Sequence, residues 1–414
     1  MRCAVSRCLG ILLMNIIDFG LYYQAYDNPT AAGGATGVNL WIWIVLHVLA
    51  EGKMRCLFSL VFGASMILFT TKIEGRPDAA DIYYRLTLWL LLFGVVHAYL
   101  LWHGEILYPY AICGLALYPF RKMSPRNLII IGALGLLLVS GFGIVQGILT
   151  RADMAKGKVA IAKAERGEKL SDEEQDAKSD WEKAVKKRNP SPDALLKDAQ
   201  EWRGGFISVI KARGKLVNEW NSIPYYHPYM FDMMFLGLAL MKLGVLSGER
   251  STRFYALLAG TGYAVGLLVN GTTATINVRA NFDPVVQSFA GSAYQLGRLA
   301  VTCGHAGVIL ILCKTGRLRF LTSRLSAVGQ MAFSNYLMHS FICAFLFTGY
   351  GFGLDGRLER YQLYYVVGVI WIVQLILSPI WLRHYRFGPL EWGWRSLTYW
   401  KRQSFRITAA NLAR

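Results

Sequence analysis

His47 and Glu51 stand four residues apart at the head of HVLAEGKMRCLFSLVFG, residues 47–63. On a helix that spacing puts both on one face. A histidine beside a carboxylate can serve as a general base with its orienting partner; the same pair can equally be the wet side of a helix lying at a membrane surface. His103-Gly104-Glu105 is a second titratable group and forms the whole turn between two apolar runs. A tight turn does not need such residues, because Asn-Gly or Pro-Gly would serve. Glu105 therefore joins His47 and Glu51 as a candidate catalytic residue. The candidate pocket residues are Asp18, Lys53, Arg55, Arg85, His97, His103, Arg298, Asn335 and His339. Asp18 follows Asn15 by three residues in an apolar run and either faces a bundle interior or reaches water at the end of the run. Arg298 falls near the middle of another apolar run. An arginine there needs a partner or a wet cavity, and Glu105, Asp18 or Glu51 could supply the partner. Asn335 and His339 are four apart and share a face. No metal site is expected: the seven cysteines lack CxxC spacing and outline neither a zinc site nor a disulfide framework. There is no P-loop, no HExxH and no GxSxG.

The elements that must position these groups are membrane helices. Of 414 residues, 54% are hydrophobic and 17% charged, with a mean hydropathy of +0.34. A membrane crossing takes about 20 apolar residues, and such runs recur at about 4–23, 54–73, 84–102, 105–121, 127–149, 224–246, 252–270, 286–313, 326–347 and 363–382. The expected fold is an all-α polytopic bundle of about ten transmembrane helices. The apolar run from Leu40 to Thr71 is too long for one crossing and is cut by Glu51, Lys53 and Arg55. It reads as a short helix over 39–51 at a membrane face, a seam at Gly52, and a crossing from 54.

A net charge of +18 would suggest nucleic acid in a soluble chain; here loop bias explains it. One set of loops and termini, including Arg7, Lys72, Arg76, Arg85, Arg121 and the tail, is strongly basic, while the short loops of the other set hold only Lys53, Arg55, Arg279, Arg357 and Arg360. The positive-inside rule then puts both termini in the cytoplasm, with an uncleaved first span. Residues 150–222 carry 16 basic and 13 acidic residues. They read as an extracytoplasmic cap of two or three amphipathic helices, started by a Ser171–Glu174 capping box and by Ser191-Pro192, and anchored by Trp181, Trp202 and Trp220. The loop 24–38 reads as flexible, and 224–229 with His227 as an aromatic belt. The resulting division is 1–149 (five helices), 150–222 (insert), 223–386 (five helices) and 387–414 (a basic interfacial tail).

Several stretches together are similar to the YeiB family of bacterial membrane proteins, domain of unknown function 418. They are RCLGILLMNI at 7–16, HVLAEGKMRCLFSLVFG at 47–63, RLTLWLLLFGVVHAYLLWHGEILYPYAICGL at 85–115, FLGLALMKLGVL at 235–246, YQLGRLA at 294–300, VGQMAFSNYLMHSFI at 328–342 and FGPLEWGWRSLTY at 387–399. The chain departs from the family in having Arg7-Cys8 for its usual Arg-Gly, and Gly104-Glu105 for its usual Gly-Asp. That family is grouped with transmembrane acyltransferases such as the heparan-alpha-glucosaminide N-acetyltransferases, which pass an acyl group from cytoplasmic acyl-CoA to an acceptor on the far side using a histidine between the first two spans. His47 lies at the similar position, and Gly329 to Asn335 resembles their late glycine–asparagine motif.

The resemblance implies an acyltransferase of the bacterial cytoplasmic membrane, with acyl-CoA as donor substrate. His47 would be the base, Glu51 or Glu105 would orient it, and Arg298 and Asn335 would line the thioester pocket. A transporter for a small anionic solute is the alternative, and an envelope protein whose cap docks a partner is the third reading. The expected partners are the lipid bilayer, an envelope glycan or small-molecule acceptor, and a second copy of the chain. Nucleic acid is not expected.

Overall fold

The computed structural model describes residues 7–221 and 228–407. Arg2, Cys3, the belt at 224–227 with His227, and Arg414 lie outside the described residues, as do the side chains of Arg7, Cys8 and Tyr229. Among the described residues the chain is helical throughout, apart from one isolated bridge between Tyr385 and Arg406.

α1 (Arg7–Gly20) leads through a 3-10 turn (Tyr23–Tyr26) to α2 (Gly37–Leu49) and α3 (Lys53–Ile73). α4 (Ala79–Leu100) and α5 (Leu107–Leu117) form a hairpin, and α6 (Pro125–Glu165) follows. The insert contributes α7 (Asp172–Arg188), α8 (Pro192–Trp202) and α9 (Phe206–Asn221). The second half runs α10 (Pro228–Lys242), α11 (Thr252–Arg279), α12 (Pro284–Thr315), α13 (Arg319–Gln330), α14 (Ala332–Phe347), α15 (Arg360–His384) and α16 (Pro389–Thr398).

Among the described residues, six helical segments are long and apolar enough to cross a membrane: 37–73, 79–100, 125–165, 252–279, 284–315 and 360–384. The described residues of the ten apolar runs fold largely as helices, but α5 and α14 have only 11 and 16 residues. At about 1.5 Å per residue each falls short of the roughly 30 Å hydrocarbon core. Length and composition thus support six crossings of the expected ten. α6 errs the other way. Its 41 residues span about 60 Å, so it runs unbroken through the expected 149/150 boundary and stands out of the bundle.

That projection carries the cap. Trp181 of α7 packs directly on Gly157 of α6. The expected capping box forms at Ser171 and Glu174, and Ser191 caps α8. α9 packs along α4, where buried Arg213 donates to the Leu100 carbonyl and satisfies an orphan group at the end of α4. The α14–α15 loop closes against the cap: the Gly349 amide donates to the Trp202 carbonyl at 2.9 Å, and Arg203 Nε donates to the Asp355 carbonyl at 2.8 Å. The loop read as flexible is packed. Ala25, Asn28 and Ala31 are buried, and fully buried Arg360 donates to the Ala25 carbonyl at 2.7 Å.

In the bundle, α3 meets α10 backbone to backbone. A Cβ on Gly63 or Gly237 would lie within about 2 Å of the facing carbonyl, Met234 O or Leu60 O, so only glycine permits the approach. α12 packs on α3, α6 and α11 and thereby reaches the seam.

Candidate active site at the cap end

The break between α2 and α3 falls at the expected seam. Gly52 has φ +64°, a region glycine enters without penalty. A Cβ there would also lie 2.9 Å from both Arg298 Cδ and Tyr294 Oη. α12 clamps this turn. Lys53, wholly buried, donates to the His47 carbonyl at 2.5 Å and to the Tyr294 hydroxyl at 2.9 Å, and its Nζ lies 4.0 Å from the Tyr294 ring centroid. Tyr294 in turn donates to the Glu51 carbonyl at 2.6 Å. A cation at the carbonyl end of α2 satisfies orphan acceptors and suits the helix dipole. Lys53 is thus structurally committed. His305 of α12, not singled out from sequence, holds the same turn through Leu49 O at 2.8 Å, with its other nitrogen 2.8 Å from the Tyr263 hydroxyl.

The turn presents its other side to a cavity of about 350 Å³. Asn15 and Asp18 come from α1, Tyr23, Tyr26 and Asp27 from the 3-10 turn, Glu51 and Arg55 from the seam, Trp102 and Gly104 from the α4–α5 turn, and Trp220 from the cap. Asp27 shows its surface to the void while protein encloses it, and that enclosure, with the nearby Glu51 carboxylate, pushes its carboxyl up to about 6.

Of the candidates read from sequence, the cavity gathers Asp18, Glu51 and Arg55. His47 stands behind Glu51, its Nδ1 4.0 Å from Glu51 Oε2, with its ring stacked on Trp43 at 4.7 Å and beside Tyr294 at 5.0 Å. Four ångströms is an electrostatic contact, too long for a hydrogen bond. His97 and Glu105 form a close buried pair outside the cavity wall, and Glu105 also accepts the Leu107 amide at the start of α5. Glu105 is therefore consumed in shaping the turn. His103 lies between Trp202 and Trp220, at 5.6 and 5.5 Å, and docks the cap. Arg298 is buried under Gly52, with Asp232 of α10 within electrostatic reach; Asp232 was not among its expected partners. Arg85 is on α4 at the opposite end. Asn335 and His339 are buried on α14 and hydrogen-bonded to α15, apart from this cavity.

Asp27, Tyr23, Tyr26, Trp102 and Trp220 were missed. The signal available was the aromatic and acidic run YYQAYD at 22–27, which reads as loop until Arg360 is seen to fold it inward.

Two further cavities adjoin this one, each sharing wall residues with the next. The middle one, of about 270 Å³, shares Ile11 and Ile106 with it and is walled by Phe58, Phe62, Leu90, Leu107 and Phe333. The last, of about 500 Å³, shares Phe58, Phe62, Gln330 and Trp394 with the middle one and reaches Lys72 and Arg395 at the basic end. The row is thus polar at the cap, apolar in the middle and basic at the far end.

A family model described as "Protein of unknown function (DUF418)" matches residues 240–401. An uncharacterized protein YeiB of Escherichia coli (strain K12) is 29% identical over 395 residues, which is 94% of this chain and 93% of that protein. An uncharacterized protein YxaH of Bacillus subtilis (strain 168) is 30% identical over 366 residues, 86% of this chain and 81% of its own. An uncharacterized 39.9 kDa protein from the amylase 3' region of Bacillus acidopullulyticus is 26% identical over 395 residues, 94% of this chain and 90% of its own. No solved structure matches.

Proposed function

The chain belongs to the DUF418 family, to which YeiB gives its other name, and from that premise we propose that it is an integral-membrane acyltransferase. It takes an acyl group from acyl-CoA at the basic end and passes it to an envelope acceptor in the cap-end cavity. The membrane is the bacterial cytoplasmic membrane, with both termini inside. The observation that carries this reading is the row of three cavities sharing walls from Lys72 and Arg395 to Glu51 and Arg55. Lysine and arginine at one mouth suit the phosphates of CoA, and the adjoining cavities suit a thioester arm reaching from that end toward Glu51.

Glu51 is the base, since it lines the cavity and His47 does not. It takes the proton of the acceptor's hydroxyl or amine as that group attacks the thioester carbonyl. The C–S bond breaks as the new C–O or C–N bond forms, and the proton passes on to the departing thiolate as free CoA thiol. Arg55 faces the oxyanion that develops, and His47 behind Glu51 supports its charge change.

The apolar middle of the row argues against passage of a small hydrophilic anion. The test is acyl transfer from labelled acyl-CoA by the purified protein in liposomes, with envelope extract as acceptor. Glu51→Gln and Arg55→Ala are expected to lower the rate by about 10²–10³-fold. If the protein binds no acyl-CoA and forms no acylated product, the reading fails.

A further inference from the structure

α15 carries a proline in its interior, Pro379. Proline has no N–H and crowds the preceding turn, so the carbonyl four residues earlier loses its helical partner. That carbonyl is Leu375, and Arg324 of α13 donates to it at 2.9 Å. α13 therefore holds one side of the bend. On the other side α15 and α14 are bridged by hydrogen bonds from Asn335 to Ser378 and between His339 and Gln374. Beside these bridges, along α14 and the bent end of α15, a groove of about 620 Å³ lies open.

The groove is apolar and faces outward. Phe341, Leu377 and Ile380 on its walls are 64, 52 and 46% exposed. From Met331 to Phe341 it follows α14 for about 15 Å at 1.5 Å per residue, about half the roughly 30 Å hydrocarbon core, which is the depth of one leaflet. Its mouth lies at His384 and Tyr385, where Trp381 stacks on Tyr385 at 4.4 Å; such aromatic rings favour the headgroup level. His384 lines this end of the groove, and Arg383 and Arg386 flank it in the chain; all three are exposed. Glu391 is the only acidic residue from 383 to 407. Its carboxylate is already spent on the first turn of α14, accepting the Phe333 and Ser334 amides at 2.7 and 3.0 Å and the Ser334 hydroxyl at 2.5 Å.

We propose that this groove holds one acyl chain of an anionic phospholipid whose headgroup rests on Arg383, His384 and Arg386. The site is separate from the cavity row and does not depend on the acyltransferase reading. The chain replaces solvent or loose annular lipid along Phe341 and Ile380, and the headgroup meets the basic run at 383–386.

The experiment is native mass spectrometry of the delipidated full-length protein with equimolar phosphatidylglycerol and phosphatidylcholine. Preferential retention of one phosphatidylglycerol is expected. Arg383→Gln with Arg386→Gln should reduce that preference by about fivefold per arginine, from roughly 1 kcal/mol per basic residue near an anionic headgroup. Both arginines are exposed, so their loss leaves the fold intact. Met338→Trp, which fills the groove, should lower retention of either lipid. Equal retention of the two lipids by the wild-type protein overturns the proposal, as does a double variant with unchanged preference. Inorganic phosphate giving the same thermal protection as phosphatidylglycerol also overturns it, because the site would then bind a free anion.

Discussion

Two buried polar clusters occupy this bundle, and they are built on opposite terms. Between α14 and α15 every group has its partner. His339 Nε2 meets Gln374 Oε1 at 2.8 Å, Gln374 donates to the Asn335 carbonyl at 3.1 Å, and Asn335 donates to Val328 O at 3.1 Å and Ser378 at 3.2 Å. At the cap end, Asp18, Asp27, Glu51 and Arg55 line a cavity. Polar groups that close on one another hold helices together, whereas polar groups that line a cavity are placed to meet a ligand. By this criterion His339 and Asn335, equal candidates in the sequence, become structural, and Asp27, not a candidate, becomes part of the site.

Substitutions can break this contrast. The largest effect is expected at Glu51: Glu51→Gln should lower acyl transfer by at least about 10²-fold while changing thermal stability little, since its contact with His47 at 4.0 Å is too long for a hydrogen bond. If stability falls with activity, Glu51 belongs to the closed class. Gly52→Val should instead destabilise by about 3 kcal/mol, combining a positive φ with a clash against Arg298 and Tyr294; detergent-titrated unfolding measures it.

In the closed cluster, His339→Leu should cost about 1–3 kcal/mol by stranding Gln374, yet His339→Leu with Gln374→Leu should recover most of that loss. A double variant no better than the single one would mean that the network does more than satisfy itself.

The smallest effect concerns pH at the cap. Burial pushes Asp355 up to about 7, aided by the like charge of Asp198, and burial with Glu201 pushes Asp198 up to about 6, both from 3.8. A carboxyl with a raised folded value is held protonated where the unfolded chain would ionise. Stability is therefore full below about pH 4 and declines as pH rises through about 6 and 7. Limited proteolysis of the insert should accordingly be severalfold faster at pH 8 than at pH 5, and Asp355→Asn should flatten the difference.

Much of this was legible in the sequence, and for stated reasons. The apolar runs, the seam at Gly52, the Ser171 capping box and the amphipathic α16 are local matters of period, charge and glycine, and they stand in the fold as read. The long reach of α6 was hidden because its apolar half and its charged half join without a breaker. Of the expected ten crossings, length and composition support six among the described residues; hydropathy does not reveal where a helix ends, and α5 and α14 end early.

The sequence by itself determined that this chain is a helical membrane protein with a charged insert and a chemically unusual turn at residues 47–55. Only the tertiary structure decided which unusual residues meet. Glu51 and Lys53 are two residues apart, yet α12 draws Lys53 into a clamp of carbonyls and Tyr294, while α1 and the 22–27 turn leave Glu51 facing the cavity. That division follows from which distant helix packs on each side of the turn, and such contacts are absent from the local pattern of the chain.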